Sequence, residues 1–415
     1  MSVSESYERW LTDAVDDPDL GVELRGIANN QEEIFDRFYR ELEFGTAGLR
    51  GVIGAGTNRM NIYTIRKATQ GLADYLNSRY PAPCVVICYD SRIKSDLFAK
   101  EAARVLAGNG VAVHLFSELA PVSVLSFAVK HLACHAGIMV TASHDPAKYN
   151  GYKCYGPEGY QMTDEDANTV TECIQKLDLF TDIRLADFDA AIADGRIDMV
   201  GEYVVDAFLA AVAAQQINPG VCAQSDLKVI YTPLNGAGNK PVRKILERIG
   251  LSQVTVVPEQ ELPDGNFPTT PFPNPELRQP FELALKLAET IAPDLLLATD
   301  PDCDRVGIAV RQGDEYAFLS GNETACLLLH YVLACRESQG TLTEDPIVID
   351  AIDISDLATH IAKKFGCKIR DSGTYAHNMN AVIASMLICE MTAYYKANGL
   401  SLLDVLQLLH HEHGS

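Results

Sequence analysis

The chain has 415 residues, 47% of them hydrophobic and 22% charged. That apolar content is enough for more than one core, and the length points to about two to four domains. A formal net charge of −22 argues against nucleic acid or an anionic membrane as partner, because either requires a basic face. An anionic small molecule stays possible, since a local cluster of arginine, lysine and metal in a cleft would hold it. No apolar run approaches the ~20 residues that cross a bilayer. Met1 to Trp10 shows no basic region followed by an apolar one, so no signal peptide is expected. The 11 cysteines form no C-x-x-C pair. They are expected to be reduced core residues of a cytoplasmic protein, rather than disulfides or zinc ligands.

Residues 1–40 are polar and acidic, with helical spacing at Ile34, Phe35, Phe38 and Tyr39, and predict a helical extension. Strand and helix signals then alternate. Cys84-Val-Val-Ile-Cys-Tyr89 predicts a strand, followed by a helix from Ser95, taken as its N-cap, to Gly108 or Gly110. Strands are predicted at Val111–Phe116 and Ala136–Thr141, and the second empties into the polar loop Ser143-His-Asp-Pro146 and Asn150-Gly151. The pattern recurs with strands at Leu227–Tyr231, Val254–Val257 and Leu295–Thr299, and helices at Pro241–Ile249 and Phe281–Thr290. A last set has helices from Gly321 to about Arg336, Ser355 to Phe365 and Ala381 to Lys396, with a strand at Ile347–Ile349. Such alternation predicts layered α/β units with largely parallel sheets.

Three stretches carry chemistry. In the first, Ser143 sits at the carboxyl end of a buried strand, where active sites of open α/β sheets collect. It is a candidate nucleophile or phosphate carrier, with His144 adjacent and Lys153 ten residues on; a surface turn with a capping serine is the alternative. In the second, Thr299-Asp-Pro-Asp-Cys-Asp-Arg305 places three carboxylates at alternate positions between two apolar strands. Residues two apart project to one side of an extended segment, and a few hard oxygens suit Mg²⁺. An acidic solvated turn is the plainer reading. The third, Phe44-Gly-Thr-Ala-Gly-Leu-Arg-Gly51, lacks the G-x-G-x-x-G spacing and any following Gly-Lys-Ser/Thr, so a nucleotide loop is not expected.

Thr141-Ala-Ser-His-Asp-Pro-Ala-Lys-Tyr-Asn-Gly-Tyr-Lys153 closely resembles the phosphoserine loop of the α-D-phosphohexomutases, the phosphoglucomutase and phosphomannomutase family, in its phosphoglucomutase-2/phosphopentomutase-like branch. The resemblance implies that Ser143 carries a phosphoryl group. It also implies that Asp300, Asp302 and Asp304 bind Mg²⁺ beside it, with Ser143 as a further ligand, and that Arg305 helps hold the phosphoryl group. Arg50, in the motif matching the family's opening one, becomes a phosphate contact, a task suited to arginine's planar fork. Lys153 is implied to help move the hydroxyl proton. His144 stays open between a catalytic and a structural role. Asp145 departs from the family, which usually has Asn there. Weaker matches at Tyr89–Lys94, Leu234-Asn-Gly236, Thr270–Glu276 and Leu319–Glu323 read as scaffold.

The implied fold is three serial α/β units with mixed, largely parallel sheets, the third incomplete and the family's fourth domain absent. The expected limits are 1–40 for the extension, 41–200 for the phosphoserine domain, 201–318 for the metal domain and 319–415 for the incomplete third. The implied activity is an intramolecular phosphotransfer between sugar 1-phosphate and sugar 6-phosphate, through a sugar bisphosphate that also serves as activator. The alternative is a catalytically degenerate relative that binds sugar phosphate or regulates a partner. The family's Gly-Glu-x-Ser or Glu-Glu-Ser-Tyr-Gly sugar loop has no counterpart between Cys367 and the Ala381 helix. Weakened turnover is therefore expected, along with uncovered apolar surface on that helix.

Overall fold

Continuous apolar runs such as Ala136-Gly-Ile-Met-Val140 form strands buried on both faces, which is how strands flanked by helices read. The computed structural model describes residues 1–45, 48–350, 355–371 and 380–413. The chain forms two compact units, Met1–Val204 and Val205 onward.

In the first unit, β1 (Leu49–Val52), β2 (Cys84–Tyr89), β3 (Ala112–Phe116), β4 (Ala136–Val140), β5 (Tyr149–Tyr155) and β6 (Ile197–Val200) form one sheet in the order β1-β5-β4-β2-β3-β6. The strands β4, β2, β3 and β6 run parallel, whereas β5 is antiparallel to both β4 and β1. The sheet is therefore mixed. The polar stretch expected to continue the Ser143 loop is largely strand: Asn150, Gly151 and Lys153 all belong to β5. Pairing overrides the turn signal of Asn-Gly here, because β5 has β1 on one side and β4 on the other.

Three helices, Val3–Asp13, Pro18–Gly26 and Gln31–Phe38, precede this sheet. Ile34 and Phe38 are buried as their spacing suggests, whereas Phe35 and Tyr39 are exposed and stack on each other at 5.4 Å. Trp10 packs edge-on against Phe38, Tyr63 and Phe180, and Arg9 grips Asp178 through two bonds of 2.7 Å. The extension thus shares the first unit's core. Ser95 is not an N-cap. Lys94 takes that position with φ 63°, and the Ser95 hydroxyl instead donates to Asp90 at 2.8 Å.

In the second unit, β7 (Lys228–Thr232), β8 (Gln253–Val256), β9 (Leu295–Thr299), β10 (Val306–Gln312) and β11 (Glu315–Leu319) run in the order β11-β10-β9-β7-β8. Strands β7, β8 and β9 are parallel, and β10 and β11 add as antiparallel hairpins. A third, two-stranded parallel sheet pairs β12 (Ile347–Asp350) with β13 (Lys368–Asp371). The helix Ala381–Ala397 packs against the helix Asn239–Arg248 and against β9 and β10.

The expectation of uncovered apolar surface on the Ala381 helix is overturned. Its residues Val382, Met386, Ile388, Cys389 and Met391 are fully buried. Glu390, also fully buried, accepts hydrogen bonds from the Ile217 and Asn218 amides and the Tyr331 hydroxyl at 2.8–3.2 Å. A buried carboxylate needs such partners, and these fasten the helix to the unit. Residues 372–379, the greater part of the segment where the family's sugar loop would stand, lie outside the described residues, as do Thr46 and Ala47.

Candidate active site

The parallel pair β2 and β4 ends in register, with Tyr89 opposite Val140. Their two following loops therefore leave the same sheet edge side by side. The Asp90 amide donates to the Val140 carbonyl at 3.2 Å, and the Thr141 hydroxyl donates to Asp90 at 2.6 Å. Thr141 in turn accepts the Ser143 amide at 2.8 Å. Ser143 is left with φ 50°, a left-handed conformation that residues other than glycine rarely adopt.

Arg92 holds that conformation. Its guanidinium is fully buried and donates to the carbonyls of Ser143 (3.2 Å from Nε), Pro146 (3.1 Å), Tyr149 (3.0 Å) and Asp145. Asp90, equally buried, lies 3.5 Å from Nε and accepts the Arg92 amide at 2.9 Å. A buried cation is stable only when paired and hydrogen-bonded, and here its partners are the backbone of the serine loop itself. Sequence reasoning placed Arg92 in a scaffold motif and missed this role. The signal available was a lone arginine immediately after a buried strand.

Ser143 is 5% exposed, and its hydroxyl lies 3.2 Å from Nδ1 of His144. Lys153 is buried on β5, in register with Met139 of β4. Arg50 lies on β1 opposite Gly151 and donates to Asp145 at 3.2 Å, with its side chain 43% exposed. The residue that departs from the family pattern is thus the one paired with the expected phosphate contact. The turn before Arg50 requires glycine at position 48: φ is 77°, and a Cβ there would fall 1.8 Å from the Tyr152 carbonyl oxygen.

The second unit places Asp300, Asp302, Asp304 and Arg305 in the hairpin loop between β9 and β10. Carboxylate oxygens of the three aspartates lie within 4.8 Å of one another, and Asp300 and Asp302 are fully buried. Burial, then the charges of Asp304 and Asp302, push the Asp300 carboxyl well above its usual range. The amides of Asp304 and Arg305 donate to Asp300 at 3.0 and 2.9 Å and fix its orientation. A compact set of hard oxygens in a rigid loop, whose Asp300 favours its proton until a cation replaces it, fits Mg²⁺.

Neighbouring elements brace this loop. The Ala237 amide donates to the Pro301 carbonyl at 2.8 Å, and a Cβ on Gly236 would meet the Pro301 Cα at 2.5 Å. The Ala381 amide, at the start of its helix, donates to the Cys303 carbonyl at 3.3 Å. That puts the positive end of a helix dipole beside an acidic loop. Arg305 donates to Glu276 at 3.1 Å. Of the positive-φ residues other than glycine among those described, Lys94, Ser143, Leu234, Asn235 and Cys303 all lie in these loops. Strain of this kind collects at functional sites.

Comparison with known proteins assigns both units to known domains. Residues 41–180 match the phosphoglucomutase/phosphomannomutase α/β/α domain I, and residues 206–313 match α/β/α domain II. The chain belongs to the α-D-phosphohexomutase family. It is 36% identical to a phosphoglucomutase of Staphylococcus saprophyticus over 345 residues, covering 82% of this chain and 61% of that one. A Staphylococcus aureus phosphoglucomutase is 35% identical over 353 residues, 84% of this chain and 62% of its own. The chain thus spans about three fifths of the length of these curated relatives. Its fold resembles that of a phosphoglucomutase/phosphomannomutase family protein of Burkholderia thailandensis (TM-score 0.66, 17% identity, 86% of this chain and 79% of that one). It also resembles parafusin from Paramecium in its open form (TM-score 0.67, 14% identity, 91% and 76%). The phosphohexomutase motifs around Ser143 and Arg50 lie in the first unit, and those at Asp300 to Arg305 in the second.

If the aspartate loop is a Mg²⁺ site, the cation should raise the melting temperature of the wild-type chain near neutral pH. Asp302→Asn should abolish that rise while leaving the metal-free protein at least as stable, because one repulsive charge is gone. A Mg²⁺ shift that persists in the variant, measured by thermal denaturation, would remove the loop from consideration.

Proposed function

We propose that the chain performs the phosphoryl transfer of a phosphohexomutase, with Ser143 as the carrier. The observation that carries this reading is the left-handed Ser143, fixed by the buried Arg92 clamp. A simple surface turn would not need a fully buried guanidinium to hold it. In the donating direction, the sugar hydroxyl oxygen attacks the phosphorus on Ser143 Oγ, the new O–P bond forms and the Ser143 O–P bond breaks. The sugar hydroxyl loses its proton and Ser143 Oγ regains one. His144, 3.2 Å from that oxygen, and Lys153 are the groups proposed to move these protons. Arg50 and Arg305 are proposed to bind phosphoryl oxygens. Asp300, Asp302 and Asp304 would hold Mg²⁺, which when bound offsets charge on the phosphoryl group.

Sugar 1-phosphate and sugar 6-phosphate are the proposed substrates, with the 1,6-bisphosphate as intermediate and activator. Glucose is the first sugar to test, because the curated relatives are named phosphoglucomutases. The proposed domain limits remain those drawn from the sequence. Turnover is proposed to be weaker than phosphoryl transfer to Ser143, because no Gly-Glu-x-Ser or Glu-Glu-Ser-Tyr-Gly stretch stands between Cys367 and Ala381. Each charge-assisted hydrogen bond to the sugar phosphate is worth about 1.5–3 kcal/mol, so doing without one slows the reaction roughly tenfold to a hundredfold.

Incubation with glucose 1,6-bisphosphate followed by intact-mass measurement tests the carrier. One phosphoryl group per chain is expected, absent in Ser143→Ala, with conversion of glucose 1-phosphate in a coupled assay slower than the loading of Ser143. Phosphate retained by Ser143→Ala, or none on the wild type, would overturn the reading.

The Arg50–Asp145 pair sets a second test. Exposed ion pairs contribute about 0–1 kcal/mol, so Asp145→Asn should release Arg50 at small cost. Phosphorylation of Ser143 should then quicken by up to about fivefold at low salt, and the gain should fade as salt rises. A loss of rate in Asp145→Asn would instead make the carboxylate part of the machinery.

A further inference from the structure

Three soft donors meet at the edge of the first sheet opposite the Ser143 loop. Cys84 opens β2, His114 lies on β3, and Cys134 stands two residues before β4. In the register, Cys84 faces Ala112 and Val85 faces Ala136, so these positions cluster where the parallel strands begin. Ser143 follows their far end, with the whole of β4 between it and Cys134. One sulfur or ring-nitrogen atom from each residue lies within 4.8 Å of the other two, and the sulfurs are 3.2 Å apart.

The surroundings are those of a metal ligand set. Nδ1 of His114 lies 2.9 Å from Asp198 on β6. A carboxylate on one ring nitrogen fixes the tautomer that offers the other nitrogen to a metal, the usual outer-shell arrangement of a ligating histidine. The Cys84 amide donates to Nδ1 of His135 at 3.2 Å, and the His135 ring lies 4.3 Å from that of Tyr80. These contacts pin the backbone that carries both sulfurs. Cys84 and His114 are half-buried, which leaves the cluster reachable from solvent.

Geometry separates two uses of the sulfur pair. Two thiolates on one tetrahedral zinc, each at about 2.3 Å, stand roughly 3.8 Å apart, so the pair must open by about half an ångström. A disulfide at about 2.05 Å would need it to close by about twice that, and would have no use for a histidine with a carboxylate behind it. We infer that Cys84, Cys134 and His114 form a Cys₂His site for a soft divalent cation, Zn²⁺, with solvent in the fourth position. The site ties β2, β3 and the start of β4 together at the edge remote from Ser143. It also revises the sequence expectation that the cysteines act only as core residues. Ligands 30 and 20 residues apart, two on strands and one just before a third, form no local motif, so only the fold reveals them.

Cobalt(II) reports on the ligands directly. The 415-residue chain, stripped with chelator and kept reduced, is titrated with Co²⁺ and with Zn²⁺. One equivalent of Co²⁺ should give a sulfur-to-cobalt charge-transfer band and tetrahedral d–d absorption, both displaced by Zn²⁺. Cys84→Ser and Cys134→Ser should each weaken the charge-transfer band, since one of its two thiolates is gone, whereas Asp302→Asn, which disables the oxygen loop of the second unit, should keep it in full. Asp198→Asn is a surface change that leaves all three ligands in place. It should weaken Zn²⁺ binding by about tenfold to a hundredfold with unchanged circular dichroism. Oxygen-type cobalt spectra only, a band indifferent to both serine variants, or unaltered Zn²⁺ affinity in Asp198→Asn would overturn the inference.

Discussion

The Ser143 loop depends on a single buried cation. Arg92 is surrounded by carbonyl oxygens of the loop it organises, and Asp90 balances its charge while accepting from Thr141 and Ser95. Removing either partner would leave the other as an uncompensated buried charge, typically about 3–5 kcal/mol of destabilisation. The same bonds keep Ser143 in a left-handed conformation that it would not hold alone. Loop stability and the placement of Ser143 are therefore one interaction seen from two sides.

The aspartate loop of the second unit solves the opposite problem. Arg92 is neutralised in place, whereas Asp300, Asp302 and Asp304 are gathered with like charges facing each other. Such an arrangement favours a proton on Asp300, the charge that a cation would otherwise balance. The hairpin can carry it because β9 and β10 clamp its ends, Ala237 and Gly236 pack on Pro301, and the Ala381 helix abuts Cys303. That helix was expected to be stranded by the short segment before it. Instead it is built into the second unit through Glu390 and an apolar face with no exposed remainder of note.

Much of this was legible in the sequence. Strands Cys84–Tyr89 and Leu295–Thr299 stand where their apolar runs placed them, and both chemistry-bearing loops follow strand ends. Strand pairing was the hidden part: β5 reads as a polar loop because Asn-Gly is a turn signal, and only two flanking strands make it a strand. Arg92 was hidden because its partners are backbone carbonyls that carry no side-chain signature. The Cys84, His114 and Cys134 cluster was hidden for a related reason, since register brings together residues that sequence spacing keeps apart.

The most direct measurement of the central claim is the rate at which Ser143 takes a phosphoryl group from glucose 1,6-bisphosphate in Arg92→Lys, compared at equal folded fraction with the wild type. Lysine keeps the charge beside Asp90 but offers a single ammonium in place of a fork that spans four carbonyls. The expected result is a folded variant whose Ser143 is phosphorylated at least about tenfold more slowly, as loss of one charge-assisted bond alone would cause. A wild-type rate in Arg92→Lys would contradict the claim that this clamp sets the nucleophile.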